Sequence, residues 1–184
     1  MEKIEKMDLT ALWALAEDLK GKGEYEQAAN LYEKVARSRK AGVFDGLPKI
    51  PHCKAAYALG ELHEKGLIAG ATMEQAARWY TRAAELGKTD AHIRLAELYL
   101  TGNGVEQSYE EVLARIYDVF FAKDLAFDGS RILYLCESIL GKIDGQDGAI
   151  LKIIGDCYVL GWGCEKSEQK AQEYYEKAKK IGIL

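Results

Sequence analysis

The sequence has little of what would assign it at once to a class of protein. Its 184 residues include only two prolines and three histidines, and the net charge is −4. Because proline interrupts helices, its scarcity leaves room for a largely helical chain. A mildly acidic balance provides no excess of basic residues of the kind that nucleic-acid-binding proteins use, so we expect no nucleic-acid partner.

Membrane-spanning and secretory signals are also missing. No apolar run approaches the roughly 20 residues that a membrane helix needs. Residues 1–19 mix charged and apolar side chains and lack the apolar core of a secretory signal. The cysteines (Cys53, Cys136, Cys157 and Cys164) contain no CxxC pair. We therefore expect no membrane partner and a cytoplasmic location, where thiols stay reduced.

Residues that carry chemistry are sparse. His52, Cys53 and His63 are close in sequence, but their spacing matches no common zinc pattern. With His92 as the third histidine, no nucleophile and base stand in a recognisable arrangement. We therefore expect no catalytic residue, no bound metal and no cofactor, and we do not expect an enzyme.

What the sequence has instead is an internal repeat. One recurring segment has the copies AANLYEKVA (28–36), AARWYTRAA (76–84) and AQEYYEKAK (171–179). In the middle copy Ala76, Trp79, Tyr80 and Ala83 occupy positions i, i+3, i+4 and i+7, which lie on one face of an α-helix. The pattern predicts a helix that packs an apolar stripe of alternating small and aromatic side chains against a neighbour.

A second recurring segment precedes two of these copies and follows another pattern. Its copies are ALGELHEKG (58–66), RLAELYLTG (94–102) and IIGDCYVLG (153–161). Leu59, Leu95 and Ile154 align, and each is followed by a small residue. Two helices per repeat, called A and B here, cannot bury their apolar faces alone, so they are predicted to stack into a solenoid.

The predicted architecture is all-α: a single α-solenoid domain over residues 1–184, with about nine helices in stacked antiparallel pairs. The repeats are predicted at 8–40, 53–87, 89–123 and 147–182. Their A helices are predicted at 8–21, 54–65, 90–101 and 148–160, and their B helices at 24–39, 73–86, 108–122 and 167–181. An irregular insert at 124–146 contains an extra apolar helix at 130–141, which either extends the stack or packs across it.

Residues 58–87 and 94–117 resemble the Sel1-like repeat (SLR) family, a relative of the tetratricopeptide repeat, through LGELHEKG with WYTRAA and through LAELYLTGNGV. The third repeat departs from the family pattern, since Arg115 and Ile116 stand where the family has Trp-Tyr. The resemblance implies an α-solenoid that serves as a scaffold or adaptor for proteins.

The glycine pair Gly102 and Gly104, which recurs as Gly161 and Gly163, raises the alternative of a phosphate-binding loop. Such loops need a longer glycine motif, either after a strand or ending in Gly-Lys-Ser/Thr. These glycines follow a predicted A helix instead. We therefore expect them to end that helix in a left-handed conformation.

In each A helix the small residue is followed by an acid, and the residue four positions before the acid shares its face. In the tetratricopeptide arrangement that the chain resembles, such positions line a concave groove. A ladder of carboxylates beside a partly apolar stripe suits a protein or peptide with basic and apolar character. Alternatively, the acids only solubilise an exposed face. The predicted partner-binding residues are Trp13, Glu17, Tyr57, Glu61, Ile93, Glu97, Lys152 and Asp156.

The favoured function is a non-catalytic protein–protein interaction module. The alternative within the binding class is a dedicated cytosolic regulator, such as an immunity-type protein that neutralises one partner. A hydrolytic enzyme is the less favoured alternative, because no sequence motif supports it.

Overall fold

The computed structural model describes residues 8–38, 50–122, 128–142 and 147–182. Within these ranges the chain forms nine α-helices and no strand, which confirms the all-α prediction. The helices are α1 (Leu9–Gly21), α2 (Tyr25–Arg37), α3 (Ile50–Glu64), α4 (Met73–Glu85), α5 (Thr89–Thr101), α6 (Tyr109–Phe120), α7 (Gly129–Leu140), α8 (Gly148–Leu160) and α9 (Glu168–Lys180).

The largest difference from the predicted bounds is at α3, which begins at Ile50 instead of residue 54. Pro51 therefore lies in the first turn of the helix, where proline is tolerated because its missing N–H has no intrahelical partner to lose. The rest of the linker before α3, residues 39–49, lies outside the described residues, as do 123–127 and 143–146 around the extra helix.

The helix ends follow from local side chains. Thr72 and Ser108 each accept a hydrogen bond at 3.2 Å from the backbone N–H three residues on, and these caps begin α4 and α6. Gly102 and Gly161 end α5 and α8 with φ of 71° and 75°. The left-handed conformation expected of the first glycine in each pair is therefore confirmed.

The second glycine of each pair has a different role, which the sequence did not reveal. A Cβ on Gly104 would lie 2.4 Å from the carbonyl carbon of Met73, the first residue of α4. A Cβ on Gly163 would lie 2.2 Å from the Cα of Ser130, near the start of α7. The loop after each of these A helices therefore packs directly on the backbone of a preceding helix, and only glycine leaves room for it.

The same contact places the extra helix α7. Gly163 packs on the start of α7 in the same way as Gly104 packs on the start of α4. Helix α7 therefore takes the place before α8 that the B helix α4 takes before α5. Helix α7 also contacts α5 and α6. Its apolar side chains Ile132, Leu135, Cys136 and Ile139 are at most 1% exposed and join the core of the C-terminal half. The extra helix therefore extends the stack.

Helix α5 links the two parts of the core. Leu95 and Leu98 belong to the cluster formed with α1 to α4, whereas Ile93 and Ala96 belong to the cluster formed with α6 to α9. Since apolar burial is the main favourable contribution to folding, a helix buried on both sides connects the two halves energetically.

Within a repeat, a tyrosine from helix B lies against a small residue of helix A. A Cβ added to Gly60 would lie 2.5 Å from the Tyr80 ring, and one added to Gly155 would lie 2.5 Å from the Tyr175 ring. The glycines therefore allow a close approach that places the ring on the partner helix backbone. Tyr80 is fully buried as a result.

In three repeats the tyrosine hydroxyl donates a hydrogen bond to a carboxylate of helix A. The three bonds are from Tyr32 to Glu17, from Tyr80 to Glu64 (2.5 Å) and from Tyr175 to Asp156 (2.5 Å). Burial, and then the hydrogen bond, raises the pKa of each hydroxyl, to about 12 for Tyr175. The hydroxyls therefore remain protonated donors at neutral pH. The third repeat lacks the bond, because Ile116 takes the tyrosine position.

We predict that Gly104→Ala lowers the free energy of unfolding by about 2–4 kcal/mol, because it adds a clash with Met73 to the cost of a left-handed alanine. The matched control is Gly70→Ala, where φ is 68° and no atom lies near the added Cβ, so only about 1–2 kcal/mol is lost. Urea unfolding measures both. Equal losses would show that the loop does not pack tightly on α4.

We predict that Tyr32→Phe lowers the free energy of unfolding by about 1–2 kcal/mol, because it removes a hydrogen bond to a charged group. Tyr134→Phe, at a tyrosine that is 61% exposed and makes no hydrogen bond in the described chain, should change it by less than about 0.5 kcal/mol. The same urea measurement applies. A Tyr32→Phe variant as stable as the control would mean that this bond does not join α1 to α2.

Candidate functional site

The predicted site residues lie on the A helices α1, α3, α5 and α8. We call this surface the A-helix face. Seven of the eight are at least partly exposed, and Ile93 is the exception with 0% exposure. Ile93 belongs to the core because α7 packs against α5 on that side. Its prediction as a groove residue was wrong, and we leave it out of the A-helix face.

Glu61 is held by cations of its own chain. Lys20 Nζ of α1 lies 3.3 Å from one carboxylate oxygen, and Lys65 Nζ lies 3.8 Å from the other. Glu61 is only 28% exposed. Its contact with Lys20 therefore joins the first two A helices.

Glu97 accepts hydrogen bonds from two arginines. Arg131 of α7 approaches with two nitrogens, at 2.8 and 2.6 Å, and Arg94 lies at 2.7 Å. Arg94 also donates to Glu64 of α3. A chain of alternating charges thus runs from α3 through α5 to α7. Burial by itself lowers the pKa of Arg94, but the Glu97 and Glu64 carboxylates raise it by more, so the pKa lies above its usual value.

Asp156 is held by Lys152 at 2.7 Å, in addition to the hydroxyl of Tyr175. The predicted site residues Lys152 and Asp156 therefore pair with each other. Glu17 differs from the other acids, because it accepts from the Tyr32 hydroxyl and no described cation lies within ion-pair distance. In the predicted ladder of carboxylates, only Glu17 thus lacks a described cationic partner.

The two aromatic residues of the A-helix face occupy equivalent positions on neighbouring helices. Lys54 Nζ lies 5.2 Å from the centre of the Trp13 ring, and Lys88 Nζ lies 5.3 Å from the centre of the Tyr57 ring. Trp13 Nε1 is buried without a hydrogen-bond partner. The Tyr57 hydroxyl makes no hydrogen bond in the described chain, and burial raises its pKa. Both side chains are only partly buried.

The described residues contain no group of three His, Cys, Asp or Glu side chains that could hold a metal ion. The four cysteines form no disulfide, and burial raises the pKa of Cys157 to about 12, which disfavours the reactive thiolate. In the same part of the chain, no helix combines the length and apolarity that crossing a bilayer requires. What the A-helix face can do is form ion pairs, hydrogen bonds and aromatic contacts.

Sequence reasoning found the acids of the A-helix face but missed Lys20, Arg94 and Arg131, which hold them. Arg94 precedes Glu97 by three residues, and this helical spacing was a usable signal. Arg131 had no such signal, because it lies on α7, and the repeat pattern did not predict where this helix packs.

Comparison with known families gives three matches to the model described as "Sel1 repeat", over residues 53–88, 89–117 and 153–182. These ranges cover most of the helix pairs α3–α4, α5–α6 and α8–α9. Together they cover about half of the chain.

Among curated proteins, an uncharacterized protein of Neisseria meningitidis serogroup B, NMB1327, is 27% identical over 118 residues. The match covers 64% of this chain and 20% of that protein. This chain thus spans only a small part of that relative.

Two solved structures share the fold. The first is c5321 of uropathogenic Escherichia coli, a protective antigen with an SLR fold. It matches with a TM-score of 0.51 and 23% identity over 93% of this chain and 38% of that one. The second is a Sel1 repeat protein from Oxalobacter formigenes, with a TM-score of 0.51 and 22% identity over 96% of this chain and 75% of that one. With the repeat matches, they show that this chain belongs to the Sel1 repeat family.

Proposed function

We propose that this protein is a non-catalytic adaptor that binds a protein or peptide segment through the A-helix face. Sel1 repeats generally mediate protein–protein interactions, and their solenoids are typically non-catalytic. The observation that carries the proposal is the pair of partly exposed aromatic residues, Trp13 and Tyr57, at equivalent positions of adjacent helices. Tryptophan and tyrosine are the residues most enriched among those that dominate binding energy.

Both aromatic rings offer a partner an apolar surface, and Tyr57 also offers a polar atom. The Tyr57 hydroxyl has no hydrogen-bond partner in the described chain, so a bound segment could supply one. Lys54, above the Trp13 ring, is exposed and can move aside or contact the partner, because exposed cation–π contacts contribute only about 0.5–1 kcal/mol. Lys88, above the Tyr57 ring, is also held by an ion pair with Asp90.

The partner we propose has apolar and basic character. Apolar side chains would contact Trp13 and Tyr57, and a basic side chain would meet Glu17, the exposed carboxylate without a described cation. Glu61, Glu97 and Asp156 would contribute less to charge recognition, since each already pairs within the chain. We propose no nucleic-acid or membrane partner. Four cysteines without a disulfide agree with the cytoplasmic location that we propose.

The test is affinity capture from a lysate of the source organism, quantified by mass spectrometry. We predict that Trp13→Ala and Tyr57→Ala each lower the recovery of the specific partner about tenfold or more, as expected for residues that contribute 1.4 kcal/mol or more to binding. Because both rings also pack against the core, a third variant, Glu17→Gln, removes only the charge, since its amide oxygen can still accept the Tyr32 hydrogen bond, and it should weaken capture of a basic partner.

The matched control is Phe121→Ala, at an aromatic side chain that is 76% exposed and follows the B helix α6. This variant should retain the partner. Circular dichroism verifies that every variant keeps its helices. Retention by all three A-helix-face variants would contradict the proposal. Recovery of one protein would indicate a dedicated regulator, and recovery of several would indicate a general adaptor.

A further inference from the structure

A cleft of about 240 Å³ lies between the B helices α2 and α4, on the far side of α3 from the A-helix face. Leu59 and His63 of α3 line it. Leu59 follows Tyr57 of the A-helix face by two residues, and His63 follows Glu61 by two. Two residues correspond to a rotation of about 200° around an α-helix, so these side chains point to the opposite side of α3. The cleft is therefore separate from the surface proposed above.

Two side-chain amides line opposite walls of this cleft. Asn30 belongs to α2 and Gln75 to α4, and neither amide makes a hydrogen bond within the described chain. A carboxamide carries one acceptor and two donors, the same kinds of group that a peptide bond presents. Two free amides on facing helices therefore suit a main chain that passes between them.

The cleft also contains a cation-binding arrangement, which the Arg37 side chain of this protein occupies. The Arg37 guanidinium lies 5.5 Å from the centre of the Trp79 ring and 2.8 Å from the Glu33 carboxylate. Arg37 is nevertheless 70% exposed, so it covers the ring loosely. An aromatic face beside a carboxylate is an arrangement that binds lysine and arginine side chains.

The charge of the lining favours a cationic ligand. Among the lining residues, Glu26 and Glu33 are acidic and Arg37 is the one cation. Glu26 accepts a hydrogen bond from the backbone N–H of Ala69. Burial lowers the pKa of His63, which keeps this imidazole neutral at pH 7. The lining therefore carries one net negative charge.

We propose that this cleft binds an extended peptide segment with a lysine or arginine side chain. Asn30 and Gln75 pair with its peptide groups, and its cation takes the place of Arg37 between Trp79 and Glu33. The protein then has two interaction surfaces on opposite sides, one formed by the A helices and one by the first two B helices.

The probe is the blocked pentapeptide Ac-Ala-Ala-Lys-Ala-Ala-NH2, titrated into the ¹⁵N-labelled protein up to about 10 mM, since contacts of this size give dissociation constants near the millimolar range. We expect the amide signals of Asn30 and Gln75 and the indole signal of Trp79 to shift. The same peptide with Glu at its centre should produce no shift.

Two variants make the test directional. Arg37→Gln vacates the Trp79 ring and raises the net negative charge of the lining, so it should tighten binding of the lysine peptide about fivefold. Asn30→Ala combined with Gln75→Ala should weaken it about fivefold or more. Asn103→Ala, at an exposed amide elsewhere, should leave it unchanged.

The proposal is overturned if the lysine peptide shifts none of the three signals, or if the Glu peptide shifts them equally. It is also overturned if Arg37→Gln weakens binding. All the substituted side chains are partly or fully exposed at the surface, and unchanged thermal unfolding verifies that the variants fold.

Discussion

The structure depends on the close approach of helix A and helix B within each repeat. Where the A helix has glycine, the tyrosine ring of helix B occupies the space that a Cβ would fill, as at Gly60 and Gly155. This contact brings the hydroxyl to a carboxylate one or four residues after the glycine. The small residue thus admits the ring. The acid that directly follows it accepts the hydrogen bond of the hydroxyl in the first and last repeats, through Glu17 and Asp156, whereas Glu64 takes this role in the second.

In the third repeat, which lacks this tyrosine, ion pairs replace the hydrogen bond. Ile116 cannot donate a hydrogen bond, and Glu97 of the same repeat is held by Arg94 and by Arg131 of the extra helix. The insert therefore does more than lengthen the chain. It covers Ile93, supplies a cation to the A-helix face and joins the second core cluster. Through α5, this cluster connects to the cluster of the first two repeats.

The helices could be predicted because their signals are local. Apolar periodicity, Thr72 and Ser108 as caps, and glycine after the A helices act within a few residues of each position. The site could be predicted only in part. The positions of the acids follow from the repeat, but their partners come from residues distant in sequence, as Arg131 does for Glu97. The burial of Ile93 and the tight fit of Gly104 likewise depend on how helices stack, which composition and spacing do not contain.

Glu61, Glu97 and Asp156 of the A-helix face hold neighbouring helices together and already pair with cations, and the partner that we propose would therefore meet the aromatic residues and Glu17. A double-mutant cycle on unfolding tests this structural role most directly, with Glu97→Gln, Arg131→Gln and the double variant. A partly buried pair with two hydrogen bonds should show a coupling of about 1–3 kcal/mol. A coupling below about 0.5 kcal/mol, as for solvated surface charges, would contradict a structural role for this pair and leave Glu97 free to meet a partner.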